Sequence, residues 1–453
     1  VFVFIIIIVT EWKFRRVDSV YMVSVKNASE INTGEKGKFL IEALPGLFDA
    51  LSPENSMGKY REEISSLSES HGRTFVVGFG KAAYSMYAGM RKFLQKVPVI
   101  ADIIVPDQME IENAFDELRI LRGTHPESSS RSVEATEAML TDLGVLSETD
   151  MVFVLISGGG SALFEKPASG FSIDEISRIS KCMMINGADI REMNVVRGVM
   201  SSVKSGKFAR ILYPATVKAY IISDVIGDDI SVIASGPLHA PSANRKFIND
   251  TITKYSGLCG YSAEELINAA NIITDMKYFS RVSNTIVLKN RDFVTGLSKL
   301  IEARFGDVVV LGSDIMGDVS QVSKHIAETC RSIYDLKGHG FWLVFGGETT
   351  VRVAGSGKGG RNQELAVRIA IEMGSEEHYT VLAIGTDGID GKSPAMGGII
   401  DDSSMSILKQ MGINKYLKDS DSYTLLSRGG SALITGFTGT NVSDICALCY
   451  YRD

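Results

Sequence analysis

Residues 151–161 read MVFVLISGGGS: six apolar residues, a serine, three consecutive glycines and a second serine. The apolar run is strand-length and shows no polar alternation, so both of its faces are expected to be buried, as in a parallel sheet. Three glycines at its end let the backbone turn sharply and turn amide groups toward an anion. A purely structural turn seldom needs all three. We therefore read Ser157, Gly158, Gly159, Gly160 and Ser161 as a phosphate-binding loop between a strand and a helix.

Working outward, the same grammar recurs in TFVVGFG (74–80), ADIIVPD (101–107) and AYIISDVIGDD (219–229). A second set follows Ser280: NTIVLKN (284–290), DVVVLGSD (307–314), FWLVFGGE (341–348) and TVLAIGTDG (380–388). Repeated strand-helix units predict an α/β chain with helices on both faces of its sheets. The expected architecture is two Rossmann-like domains with mainly parallel sheets, 37–280 and 281–453, divided within NIITDMKYFSRVSN (271–284). Residues 1–36 are read as an N-terminal extension. Its opening nine apolar residues are too few for a membrane-spanning helix, which needs about 20, and they lack the flanks of a signal peptide. The first methionine is Met22, so residues 1–21 are expected to be an upstream extension or a misassigned start, which intact mass from the native host would test.

A length of 453 residues exceeds what one hydrophobic core usually supports. The net charge of −7 gives no basic field for a phosphate polymer, which argues against nucleic acid as a partner. Five scattered cysteines suit a reducing compartment better than a disulfide framework, and the expected location is the cytoplasm. Cys446 and Cys449 form a lone CxxC, read as a buried pair because no second pair or histidine cluster accompanies it.

Other strand ends carry further chemistry. In VVGFGKAAYSM (76–86), Gly80 and Lys81 open a helix, where amides, helix dipole and lysine favour an anion. Gly78, Gly80 and Ala83 also satisfy the dinucleotide pattern G-x-G-x-x-A, with Asp102 or Asp107 as the ribose acid. A plain turn with a solvated lysine is the third reading. In REMNVVRGVMSSVKSGKFAR (191–210), Asn194 and Arg197 share a helical face, with Lys204 about two turns on. ISDVIGDDISVIASGP (222–237) gathers Asp224, Asp228 and Asp229 at a strand end, a pattern suited to magnesium, a general base or a helix cap. The second half offers Glu348, a glycine-rich tongue leading to Arg361 and Asn362, and then Asp387 and Asp390.

GGETTVRV, GKGGRNQEL, GTDGIDG and SALITGFTGTNVSD (431–444), preceded in order by GFGKAA, THP (124–126), ISGGGSAL, MNVVR, ISDVIGDD and ASGP, resemble the glycerate 2-kinase family with its C-terminal MOFRL-type domain. The likeness runs from residue 37 onward. It implies phosphorylation of D-glycerate to 2-phosphoglycerate by ATP with Mg²⁺, in a cleft between the domains. On that likeness Lys81 and Arg361 form the catalytic pair with Asp224. Gly80, Ser157, Gly158, Gly159, Gly160, Ser161, Asn194, Arg197, Lys204, Glu348, Asn362 and Asp387 bind substrate or phosphate, and Asp228 and Asp387 are the metal candidates. After Lys204 the chain departs from the family, with Ser205, Gly206 and Lys207 where two glycines and an arginine are usual. The oligomeric state stays open, a homodimer being the candidate assembly. The rival reading is a hydroxypyruvate reductase using NAD(P)H, for which His125 is the one candidate acid in a motif. A third is a non-catalytic sensor of a phosphorylated sugar acid.

Overall fold

In the computed structural model, β1 (Thr74–Phe79) and β4 (Met151–Ile156) are buried along their whole length and pair in parallel. They lie at the centre of a six-stranded sheet. β2 (Val99–Pro106) and β3 (Leu118–Gly123) extend it on one side, β5 (Thr216–Ile222) and β6 (Val282–Leu288) on the other. Every pairing is parallel, in the order β3-β2-β1-β4-β5-β6. The order reverses between β1 and β4, the place where open α/β sheets bind ligands. The structure describes residues 23–94, 97–241, 243–374 and 377–452. The expected upstream extension, 1–21, lies outside these.

This sheet belongs to a unit spanning residues 56–289. A helical lobe is added to it: helices Ile173–Ile185, Ile190–Met200, Arg245–Cys259 and Ala263–Ala269 share a core of their own around Ile176, Met183, Ile252 and Tyr255. Cys182 and Cys259 form a disulfide there, with Cα atoms 5.6 Å apart. While Cys330, Cys446 and Cys449 are free thiols, the expectation that the cysteines suit a reducing compartment better than a disulfide framework is corrected for this pair. The two are 77 residues apart and meet through helix packing, which spacing in the sequence does not disclose.

The second unit joins residues up to 55 to residues from 290 onward. Helix Glu35–Ala50 packs its Leu44, Leu47 and Phe48 into this unit, with Phe48 edge-on to Phe293 at 5.1 Å. Thr33 Oγ1 and the Gly34 amide donate to Asp401 at 2.9 and 2.8 Å. The expected boundaries are corrected in two places. Residues 37–55 leave the first unit, and NTIVLKN supplies β6, the edge strand of the first sheet, and not a strand of the second.

The second sheet contains β7 (Val308–Asp318), β8 (Phe341–Thr350), β9 (His378–Gly385), β10 (Gly397–Asp401), β11 (Ala432–Leu433) and β12 (Asp444–Tyr451), in the order β11-β10-β9-β12-β8-β7. The parallel expectation holds here for β7 and β8 alone. β12 runs antiparallel to both β8 and β9, and β10 is antiparallel to β9 and β11. No helix separates β9 from β10, so the chain can return in the opposite direction. Cys446 and Cys449 are both buried, as expected, but three residues apart on β12 they face opposite sides. No helix among the described residues is long and apolar enough to cross a membrane.

Candidate active site

The loops after β1 and β4 are built against each other. The Lys81 amide donates to the Gly158 carbonyl at 2.9 Å, and the Ala82 amide to Ser157 Oγ at 2.9 Å. Gly80 sits at φ +128°, and a Cβ there would lie 2.2 Å from Ser157 Oγ. Gly78 has the same cause: a Cβ would meet Ile103 Cδ1 at 2.7 Å. The glycines of the dinucleotide-like pattern therefore answer to protein packing, and the amides of residues 81 and 82 are already used. Asp102 is buried within β2 and paired with Arg119 Nε at 2.9 Å, while Asp107 pairs with Arg131 at 3.4 Å. Neither is a ribose acid in waiting, so the dinucleotide reading fails.

The Gly158–Gly160 turn converges with Lys81 and the THP loop. Gly159 is left-handed (φ +86°), and a Cβ on it would meet His125 Nε2 at 3.2 Å and Lys81 Cγ at 3.6 Å. A third segment closes in from the ASGP run. Ala234 and Ser235 both hold positive φ (51° and 63°), strain that side-chain-bearing residues accept mostly where the surroundings fix it. Ser235 Oγ donates to Asn194 Oδ1 at 3.1 Å, so Ser161 Oγ, 3.0 Å away, is the donor to Ser235. This relay uses the Ser161 proton and leaves Asn194 Nδ2 buried without a hydrogen-bond partner among the described residues. Arg197 Nη2 donates to the Ser161 carbonyl at 3.1 Å, while its Nε is likewise buried and unsatisfied. Burial pushes the Arg197 guanidinium below its usual range.

Lys204 does not line this surface. Its ammonium has no exposure; it donates to the Ser161 carbonyl at 2.7 Å and pairs with the equally buried Glu165. Burial, reinforced by Arg197's charge, brings it down to about 8 despite Glu165. The helix carrying Asn194 and Arg197 ends at Met200, so Lys204 reaches Ser161 after a chain reversal and not along a helical face. Lys207 is used too. Its ammonium binds the Gly198 and Ser201 carbonyls at 2.8 and 2.6 Å, capping the C-terminal end of that helix, so its charge is structural.

The aspartates after β5 divide their work. Asp229 Oδ1 accepts from the Ser231 amide and hydroxyl at 2.9 and 2.7 Å, a local cap. Asp228, at φ +57°, pairs with Lys289 at 3.2 Å. Asp224 is half-buried at the strand end, among the other loops' side of the sheet. Among the described residues no three His, Cys, Asp or Glu side chains converge as a metal cage.

In the mixed-sheet unit a second charged cluster forms where helix Arg361–Met373 begins. Arg361 donates to Asp444 at 2.6 and 3.1 Å and meets Glu348 at 2.9 Å. Asn362 Nδ2 reaches Asp444 at 2.9 Å. Asp390 accepts the amides of Asn362 and Gln363 at 3.2 and 2.8 Å, a carboxylate on the positive end of the helix. Burial raises Asp390, and raises Asp444 to about 6 even against Arg361. Asp387 caps the next turn through the Ile389 amide at 3.2 Å and is half-buried.

Residues 45–265 match a family described as a domain of unknown function (DUF4147), and residues 341–444 match the MOFRL family. A protein of Picrophilus torridus named glycerate 2-kinase is 45% identical over 94% of this chain and all of its own length. The chain belongs to the glycerate 2-kinase family. The crystal structure of glycerate kinase from Thermotoga maritima superposes with a TM-score of 0.81 at 33% identity, covering 91% of this chain and 98% of the other. An Agrobacterium vitis protein named putative hydroxypyruvate reductase is more distant, 31% identical over 83% of this chain.

Three residues of this glycerate 2-kinase family chain escaped the sequence reading. Glu165 follows the glycine loop and gives no sign that it will answer a buried lysine. Ser235 sits in the ASGP run without a distinctive neighbour. Asp444 closes the NVSD motif, and a carboxylate at the first position of an apolar run was the available signal.

Proposed function

We propose that the protein transfers the terminal phosphoryl group of ATP to the 2-hydroxyl of D-glycerate. The observation that carries this reading is the meeting of Lys81 with the Gly158–Gly160 turn at the point where the sheet order reverses. The names of its relatives supply the reaction. The substrate hydroxyl oxygen bonds to the terminal phosphorus as the bond from that phosphorus to the leaving ADP oxygen breaks, and the hydroxyl proton must be taken up. Asp224 is the proposed acceptor. Lys81 and Arg361 are proposed to offset negative charge on the transferring group, the main demand of phosphoryl transfer.

Magnesium needs only one or two carboxylates beside phosphate oxygens. Asp387, a half-buried carboxylate at a strand end, fits that role, whereas Asp228 is engaged by Lys289 and fits it poorly. Bound there with the nucleotide, the ion would neutralise phosphate charge.

The test is a reaction of purified protein with D-glycerate and MgATP, its product identified by phosphorus NMR. A 2-phosphoglycerate signal is expected, and Lys81→Ala or Arg361→Ala should cut turnover at least about tenfold to a hundredfold. Wild-type turnover in either variant removes that residue from the catalytic set. NADPH oxidation driven by hydroxypyruvate without ATP would overturn the kinase reading.

A further inference from the structure

A cavity of about 540 Å³ opens in the parallel-sheet unit, between helix Ile190–Met200 and the start of helix Arg245–Cys259. We propose that it receives the purine nucleoside of the phosphoryl donor. The inference rests on the kinase reading and deepens it, because the loops above account for phosphates and not for a base.

Size is the first argument. Cavities for drug-sized ligands run from roughly 300 to 1,000 Å³, and a three-carbon acid would leave most of this one empty. Charge is the second. The ammonium of Lys207 is bound to helix carbonyls, and the other two Lys, Arg, Asp or Glu side chains of the lining, Arg191 and Asp229, are opposite in sign and act on each other. That balance leaves no cluster of cations for a triphosphate. It suits a neutral group with apolar faces and polar edges. The faces are met by Val195, Val199, Phe247 and Ile248. The edges are met by Asn271 and by His239, whose Nδ1 bonds the Ala240 carbonyl at 2.7 Å, so that Nε2 accepts when the ring is neutral.

Continuity is the third argument. Asn194 lines the cavity and is also the end of the relay from Ser161, and its buried Nδ2 is unsatisfied. Asp229 and Ser231, on the loop after β5, line it as well. Both bonds from Ser231 go to Asp229 Oδ1, which leaves Oδ2 as an acceptor for ribose hydroxyls. A nucleoside seated here would therefore have its 5′ end next to the Ser161 loop.

Ala243→Trp tests this, since Ala243 is a half-buried wall position on a loop and an indole there would fill the cavity. Binding of a non-hydrolysable ATP analogue and of inorganic tripolyphosphate is measured by calorimetry on the full chain, beside steady-state kinetics. The analogue Kd and the KM for ATP should rise at least about tenfold, with tripolyphosphate binding and the KM for glycerate changed less than about twofold. Phe247→Ala, at a position 39% exposed, should shift the same two constants upward by a smaller factor without burdening the core. Unchanged ATP constants in both variants, or a rise confined to glycerate, would overturn the assignment and leave the kinase intact. Analogue binding that Ala243→Trp abolishes, in a protein that never phosphorylates glycerate, would sustain the cavity and overturn the glycerate reading.

Discussion

Asp444 and Arg361 are mutually dependent. The carboxylate is nearly enclosed, and burial lifts it to about 6 although the guanidinium holds it from 2.6 Å. A carboxyl whose folded-state value lies above its ordinary 3.8 binds its proton more tightly when folded. Its contribution to stability therefore grows as pH falls from above 6 toward 3.8 and is smallest at neutrality. Activity should show the opposite trend. As pH drops through about 6, Asp444 takes up a proton and loosens its hold on Arg361. The pH profile of kcat/KM should therefore carry an acid limb near 6. In Asp444→Asn that limb should vanish, over a lower plateau. A limb that persists unchanged would assign it to another group. Lys204 shows the complementary case, a charge with no exposed surface whose work is to hold the Ser161 carbonyl. It acts as a positioning residue, because nothing outside the protein can reach it.

The β1 and β4 loops form one device at the scale of elements. Gly80→Ala would place a methyl 2.2 Å from Ser157 Oγ at a backbone φ of +128°, so the two loops would have to part. Denaturant unfolding should show a loss of about 1–3 kcal/mol, accompanied by reduced turnover. Full stability in the variant would mean that the loops are not coupled. Both loops were legible in the sequence because unbroken apolar runs ending in glycine have few other uses. β6 was equally plain as a strand, yet an apolar run does not say which sheet it joins. DICALCYY, the sequence of β12, carries no sign of where it pairs, because its position between β8 and β9 depends on partners about 60 to 110 residues away. The burial of Lys204 was invisible for a related reason. A lysine is solvated by default, and only Glu165, brought near by the fold, reverses that.

Across the whole molecule, the unit of residues 56–289 is an insertion within the other, whose chain enters at residues up to 55 and resumes at 290. Expressed alone, residues 56–289 should give a cooperative thermal transition. Residues 290–452 alone should aggregate, since they lack helix Glu35–Ala50, whose Leu40, Leu44 and Leu47 are fully buried. Co-expressing residues 23–55 should restore soluble protein. A stable, monomeric 290–452 fragment would show that helix Glu35–Ala50 is dispensable.

The same nesting orders events during synthesis. β12 follows β8 and β9 in the chain and lies between them, so the mixed sheet cannot close until β12 has been made. Helix Glu35–Ala50 emerges before all of them and must keep its apolar face covered through the nearly four hundred residues that separate it from β12. The inserted unit can finish folding in that interval, since domains generally fold as units during synthesis. The waiting helix thus offers a nascent-chain chaperone an apolar face to cover until the rest of its unit has been made.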